Sequence, residues 1–462
     1  MSDDERERGR EMLVPLNVRT YRLAIANGIM AMAAFRVADR STVVPLLLHK
    51  LSGAAWVVGL VLGLWRVVRT LVQVLAARSL DGRDYKKPAY ILSALARGSM
   101  YVLIALVLWW GAQLSNTLVL VVLIFGLMGH SGGGAVASLA FNDILAKSIP
   151  TTRRGSLQMW RRVGALAIVL LGVTPLVAYM VGPESPFDFP RNFATLFAVS
   201  VMGSAIGWTL FGQVREPASR SSSRQPSWLQ HLARGWEIIH QDRSYRRLIR
   251  IRLLMGLSSA VRPFFIVFAT QVWGMPDEVA ATFLGLQVGA EMVGAAVVGQ
   301  VSDRFGNRNA VLVGVSSLLA GMVAAVAAAF GSWDVSLSIL WWTVNLQVVV
   351  LGLAFVGCGL FLASLMIGYM NYLMDIAPES ERPSYMGFGA GFTFPLALAP
   401  LVYGWAADGL GYRVVFTAAL VLALGAFFFG LKLPEPRDDL DDSELEAFIR
   451  QPDMHEEPPE GE

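Results

Sequence analysis

Cysteine is all but missing: Cys358 is the only one in 462 residues. It stands inside an apolar stretch, so an intramolecular disulfide or a cysteine-built metal cluster is excluded. Charge is scarce as well. Asp, Glu, Lys and Arg together make up 16% of the chain, where a soluble domain carries about 25%. Catalytic signatures are also wanting. The sequence has no GxxxxGK followed by Ser or Thr and no HExxH. ATP is therefore not the expected energy source, and metalloprotease chemistry has no motif to rest on. The run Gly132–Gly134 lies within an apolar stretch and reads as helix packing, not as a phosphate cradle.

What is present in excess is apolar. Hydrophobic residues account for 55% and the mean hydropathy is +0.52. They come in stretches of roughly 20 residues or more, the length a helix needs to cross a bilayer. Six such stretches fall at about Tyr21–Leu48, Ala54–Ala77, Ala89–Trp110, Leu118–Ala146, Leu157–Val181 and Asn192–Phe211. Six more fall at Leu253–Trp273, Ala280–Gln300, Ala310–Phe330, Trp342–Met374, Tyr385–Ala407 and Val414–Lys432. The expected fold class is an all-α integral membrane protein with twelve transmembrane helices.

Lysine and arginine set the orientation. Alternate loops carry Arg78, Arg83, Lys86 and Lys87, then Lys147, Arg153 and Arg154, then the run from Arg215 to Arg252. The intervening loops hold little beyond Lys50, Arg191 and Arg413. Both termini are thus expected in the cytoplasm, and the opening MSDDERERGR does not resemble a signal peptide. Residues 213–252 divide the chain. They contain the linker-like SRSSSRQPS and then Trp228, Leu232, Trp236 and Ile239 at helical spacing beside Arg234, Arg243, Arg246 and Arg247. That pattern fits an amphipathic helix on the inner leaflet, or equally a linker helix under the protein. Residues 433–462 form an acidic tail that cannot bury a core.

The two halves repeat each other. Asp81 in the loop after stretch two has a counterpart, Asp303, 222 positions later; Pro150 and Arg154 match Pro378 and Arg382 at 228; Asn142 matches Asn371 at 229. Two six-helix bundles in the same orientation follow (21–212 and 253–432), since six is even. The loop Gly299-Gln-Val-Ser-Asp303-Arg304-Phe-Gly306-Asn-Arg308 resembles the signature loop of the major facilitator superfamily, with Gly299, Asp303, Arg304, Gly306 and Arg308 in place. The first-half copy around Asp81 and Lys86 departs from it: Ala77 replaces glycine, Gly82 the arginine and Asp84 the second glycine. The resemblance implies alternating access between two bundles. It also implies that Asp81 and Asp303 steady the outward-facing state against a helix amino terminus of the opposite half, the positive end of its dipole.

Charges at mid-span suggest the ligand. Arg36, Asp39 and Arg40 sit in stretch one, Arg66 and Arg69 in stretch two, Arg262 in stretch seven and Glu291 in stretch eight. Each costs about 2.5–3.5 kcal/mol if it faces lipid, so they should face the interior. Five arginines against two acids favour an anionic solute, because guanidinium forks match carboxylate and phosphate. The competing expectation is that these groups are buried ion pairs, Arg36 or Arg40 with Asp39 and Arg262 with Glu291, that hold helices together. Arg36, Arg40, Arg66, Arg69 and Arg262 are the substrate-binding candidates. Asp39, Glu291 and His130 are the candidates for proton coupling; His130 has a plain helix-packing alternative.

The function expected is a secondary active transporter of a small anionic or amphiphilic solute in a bacterial inner membrane. It would act as a monomer, with no cofactor, metal or nucleic acid and possible dependence on protons. A broad drug exporter and a non-transporting assembly or sensor protein with the same fold are the alternatives.

Overall fold

A computed structural model describes residues 17–80, 83–217, 237–339, 342–377, 385 and 394–435. The first half comprises α1 (Val18–Val37), α2 (Val43–Ser52), α3 (Ala55–Leu80), α4 (Lys87–Trp109) and α5 (Asn116–Ser148). It continues with α6 (Thr151–Ile168), which passes through a π-helical turn at Val169–Val173 into α7 (Thr174–Val181), and ends with α8 (Arg191–Gly212). The second half comprises α9 (Arg243–Ser259), α10 (Pro263–Gln271), α11 (Val279–Phe305), α12 (Asn307–Phe330) and α13 (Leu346–Met366). It closes with α14 (Gly368–Ile376), α15 (Ala399–Leu410) and α16 (Tyr412–Leu431).

Ten helical segments among the described residues are long and apolar enough to cross a membrane. Of the two remaining expected spans, the eleventh has residues 386–393 outside those described and continues as the short helix α15. The first is broken. Asp39 turns back on its own chain, its Oδ1 accepting from Ser41 N at 2.7 Å and also from the Ser41 hydroxyl. A short carboxylate that competes for backbone donors in this way ends a helix, so α1 stops at Val37 and α2 starts at Val43. The seventh span breaks in the same manner. Pro263, which lacks an N–H and clashes with the preceding turn, separates α9 from α10.

Among the described residues, an exception to the helical pattern stands before α13. Ser336–Ile339 and Trp342–Asn345 form a two-stranded antiparallel hairpin, so the tenth span begins at Leu346 rather than at Trp342. Asn345 then caps α13, accepting from Gln347 N at 2.8 Å. Similarly, α9 starts at Arg243 within the interval read as linker, because Asp242 Oδ1 accepts from Ser244 N and Tyr245 N at 2.8 and 2.9 Å. Of the expected amphipathic segment, Trp228, Leu232, Arg234 and Trp236 lie outside the described residues.

Helices pack within each half as α1 on α8, α4 on α5 and α8, α11 on α13, and α12 on α13 and α16. The halves meet where α3 crosses α15 and where α11 crosses α7 and the π turn. The first crossing requires glycine. A Cβ at Gly404 would stand 2.6 Å from Ala55 O, and one at Gly59 only 2.2 Å from Pro400 O.

The duplication read from sequence recurs in a pair of caps. Glu216, after α8, accepts from Lys86 N and Lys87 N at 2.8 Å each. Glu435, after α16, accepts from Arg308 N at 3.1 Å. Glutamates 219 positions apart thus cap helices whose starts are 220 positions apart, each at the positive end of a helix dipole.

Candidate ligand-binding site

Both breaks deliver an arginine to the middle of the protein. Arg40 follows the end of α1 and Arg262 follows the end of α9, and they are 222 positions apart, the same offset as Asp81 and Asp303. They line one cavity of about 320 Å³ between the halves, together with Arg36, Asp39, Trp65 and Arg66.

Arg36 is not free in this cavity. Its Nη2 donates to Glu291 Oε2 at 2.6 Å and its Nη1 to Asp39 Oδ2 at 3.3 Å, so α1 is tied to α11 by a buried ion triad. Glu291 therefore meets Arg36 and not Arg262. Ser41 Oγ reaches Gln287 Oε1 at 3.3 Å beside it. Arg66 Nη1 donates to Leu396 O at 3.1 Å, a second link across the halves. Arg262 Nε donates to Ser259 O at 3.1 Å. The triad carries one net negative charge and Arg40, Arg66 and Arg262 carry three positive, which leaves the cavity two positive.

A second cavity of about 410 Å³ opens inside the first half, sharing Arg40, Trp65 and Phe35 with the first. Arg69, expected at the central site, faces this one, and so do two arginines that sequence reasoning passed over, Arg97 on α4 and Arg161 on α6. None of its lining residues is acidic. Arg161 lies only four residues into its stretch, which hid it, whereas Arg97 lies near the middle of Ala89–Trp110 and was legible as a mid-span charge. A signal existed in the glycines. A Cβ at Gly133 would come within 2.6 Å of the Arg97 side chain, one at Gly134 within 3.2 Å of Arg69 Nη1, and one at Gly28 within 2.0 Å of Arg161 Nε. The run read as helix packing makes room for arginines.

His130 joins this second cavity. Its ring stacks on Tyr101 with centroids 3.8 Å apart, Nε2 lies 3.4 Å from Arg97 Nη2 and Nδ1 lies 3.4 Å from Arg97 O. Both contacts are satisfied when Nε2 accepts from the guanidinium and Nδ1–H donates to the carbonyl.

The polar links near Lys50 cross between the halves. Lys50 Nζ pairs with Asp277, and Asp408 of α15 caps α3, accepting from Ala55 N at 3.0 Å and Trp56 N at 2.7 Å. At the opposite end, Lys86 pairs with Asp143 at 2.6 Å inside the first half, and Asn307 donates to Asp375 at 2.6 Å inside the second. Gly306 takes φ +88° where α11 turns into α12, a conformation that favours glycine. Asp303 and Arg304 are exposed there and Arg308 is half-buried. Gly299 has open space around it. Asp81 lies outside the described residues.

No protein-family model matches the chain. Curated relatives are uncharacterized proteins of Mycobacterium tuberculosis and Mycobacterium bovis, 24% identical over 308 residues, or 63% of this chain. The chain spans about half of their length, 54%. Solved structures resemble it much more completely. A mutant form of the nucleoside transporter NupG superposes with a TM-score of 0.68 at 12% identity, covering 90% of this chain and 99% of that one. A bacterial homologue of the iron transporter ferroportin gives 0.68 at 13% (91% and 99%). The D-xylose–proton symporter gives 0.66 at 14% (92% and 100%). The chain is a multi-pass helical membrane protein with the fold of major facilitator transporters.

Proposed function

We propose that the protein is a secondary transporter that moves a small organic anion by alternating access of its two helical halves. One observation carries this reading: the cavity between the halves holds Arg40, Arg66 and Arg262, while both nearby acids are engaged by Arg36. A surplus of guanidinium groups in a low-dielectric space is an anion site, since each uncompensated charge there is costly until a counter-ion arrives. Arg40 and Arg262 come from equivalent places in the two repeats, so a bound anion would draw the halves together.

In this reading the chain crosses the membrane twelve times, with bundles at 21–212 and 253–432 and both termini in the cytoplasm of a bacterial cell. The links through Lys50 and Asp408 then close the outer side. The signature-loop residues Asp81, Lys86, Gly299, Asp303, Arg304, Gly306 and Arg308 serve the inner gate. Asp39 and Glu291 are the proton-coupling groups, because protonating either releases Arg36 towards the anion; His130 would act by way of Arg97. Arg69 serves as an approach to the neighbouring cavity.

The test is uptake into proteoliposomes of labelled carboxylates and phosphates, with and without a pH gradient. Arg66→Gln and Arg262→Gln should each reduce uptake at least about tenfold, the worth of one charge-assisted hydrogen bond. Uptake unchanged in both variants would refute the anion site.

A further inference from the structure

We infer that the cavity inside the first half is a recognition site for an aromatic anion: a planar ring bearing two or more negative charges. This deepens the transport reading, and rests on it only for how the ligand reaches the membrane's far side.

The cavity gathers four guanidinium groups with no acid in its lining. What holds each of them is an aromatic face. Arg40 lies 3.9 Å from the centroid of Trp65, Arg97 lies 4.7 Å from Phe35 and 5.2 Å from Trp208, and Arg161 lies 4.4 Å from Phe141. Arg69 stands 5.8 Å from the centroid of Trp65 as well. A ring face fixes the plane of a guanidinium and leaves its charge intact, whereas a carboxylate would cancel it. Arg97 spends one N–H on His130 Nε2, and the other N–H edges are left for something else. Arg161 is 7% exposed, and its Nε and that of Arg97 are buried with no hydrogen-bond partner. Buried donors without acceptors are the exception in folded proteins and call for an explanation. A bound anion supplies it.

Tyr90 and His130 add two more rings to walls completed by small and polar residues such as Ala31, Ala137 and Ser138, and a volume of about 410 Å³ suits a one- or two-ring molecule. An inorganic anion would leave most of that space empty and most of those faces unused. A flat aromatic body fills it, with acidic groups at its ends reaching Arg97 and Arg161.

Terephthalate is the probe, titrated calorimetrically into the full chain in detergent. Its saturated counterpart trans-cyclohexane-1,4-dicarboxylate and the neutral benzene-1,4-dicarboxamide are titrated in parallel. Terephthalate should bind saturably, the saturated diacid roughly tenfold more weakly, and the diamide not at all. Arg97→Gln and Arg161→Gln should each weaken terephthalate roughly tenfold or more. Arg252→Gln should leave it within about twofold, since Arg252 is also an arginine of a spanning segment stacked on a ring, Tyr369 at 5.6 Å, but lines neither cavity. A purely structural arginine would destabilise the protein when removed. A ligand arginine behaves oppositely, so Arg161→Gln without probe should melt no lower than the parent, and higher if the uncompensated charge dominates. No saturable binding, equal affinity for the saturated diacid, or full binding by both arginine variants would each overturn the inference. Binding without uptake into liposomes keeps the site and refutes transport of this class. Uptake that ignores Arg97 and Arg161 keeps transport and refutes the site.

Discussion

Glu291→Gln separates the two roles open to Arg36, ligand group or latch between the halves. The substitution preserves shape and removes one charge. In the parent protein Glu291 is 8% exposed and its Oε2 accepts from Arg36 Nη2 at 2.6 Å, across the boundary between α1 and α11. Breaking a buried ion pair by removing one partner costs about 3–5 kcal/mol. Two features lower the figure here. Arg36 keeps Asp39 at 3.3 Å, and the amide oxygen of glutamine can still accept. The loss is then nearer the value of a hydrogen bond to a charged group, about 1.5–3 kcal/mol. The assay is a double-mutant cycle with Arg36→Gln, read by denaturant unfolding of the purified protein in detergent. The single variants should each lose stability, and the double variant should lose less than their sum by more than about 1 kcal/mol, because contacting partners are coupled. If the effects add within about 0.5 kcal/mol, the pair is not a unit. Arg36 then returns to the pool of ligand-binding arginines, and the charge count of the central cavity rises with it.

Three further outcomes follow from the same contacts. Gly28→Ala should weaken terephthalate binding measured by calorimetry as much as Arg161→Gln does, because its Cβ would sit 2.0 Å from Arg161 Nε; overpacking of this kind costs about 1–3 kcal/mol. Asp408→Asn removes the carboxylate that caps α3 from the other half, an interaction worth about 0.3–2 kcal/mol at a helix amino terminus. It should speed labelling of a cysteine placed at Leu62, a lining residue of the central cavity, by an impermeant thiol reagent added on the Lys50 side. Lys50→Gln should produce a smaller change in the same labelling assay, under about 1 kcal/mol, since both partners of its ion pair are partly exposed.

The sequence made the membrane class legible because hydrophobic length is a one-dimensional signal. It also placed Arg40, Arg66 and Arg262 at one depth, and they share a cavity. Pairing was another matter. Glu291 goes to Arg36, 255 residues away along the chain, and no spacing rule selects that partner over Arg262. Arg161 was invisible for a related reason: counting charges near span midpoints ignores helix tilt and the depth a long side chain spans, whereas the same count applied to Ala89–Trp110 would have found Arg97. Gly28 and Gly133 were the readable clue. They mark where a backbone yields space, but only coordinates tell whether a helix or a side chain takes it.

The repeat offsets turn the missed arginines into an argument about division of labour. Carried forward by 222 positions, Arg40 falls on Arg262, but Arg69 falls on Glu291 and Arg97 on Leu319. Arg161 carried by 228 falls on Gly389, and His130 carried by 229 falls on Gly359. Trp65 and Trp208, carried by 222 and 219, become Gln287 and Phe427. The aromatic and cationic chamber therefore has no copy in the second half, whose equivalent positions are mostly small or apolar. One cation, Arg40 or Arg262, persists in both repeats at the helix breaks. An acid, Glu291, has replaced the cation at the third position and reaches back to the first half. A symmetric ancestor would have offered a ligand two like surfaces. In the reading proposed above, the first half would hold the anion while Glu291 supplies one of the links between the halves, so affinity and closure would be tuned by separate residues.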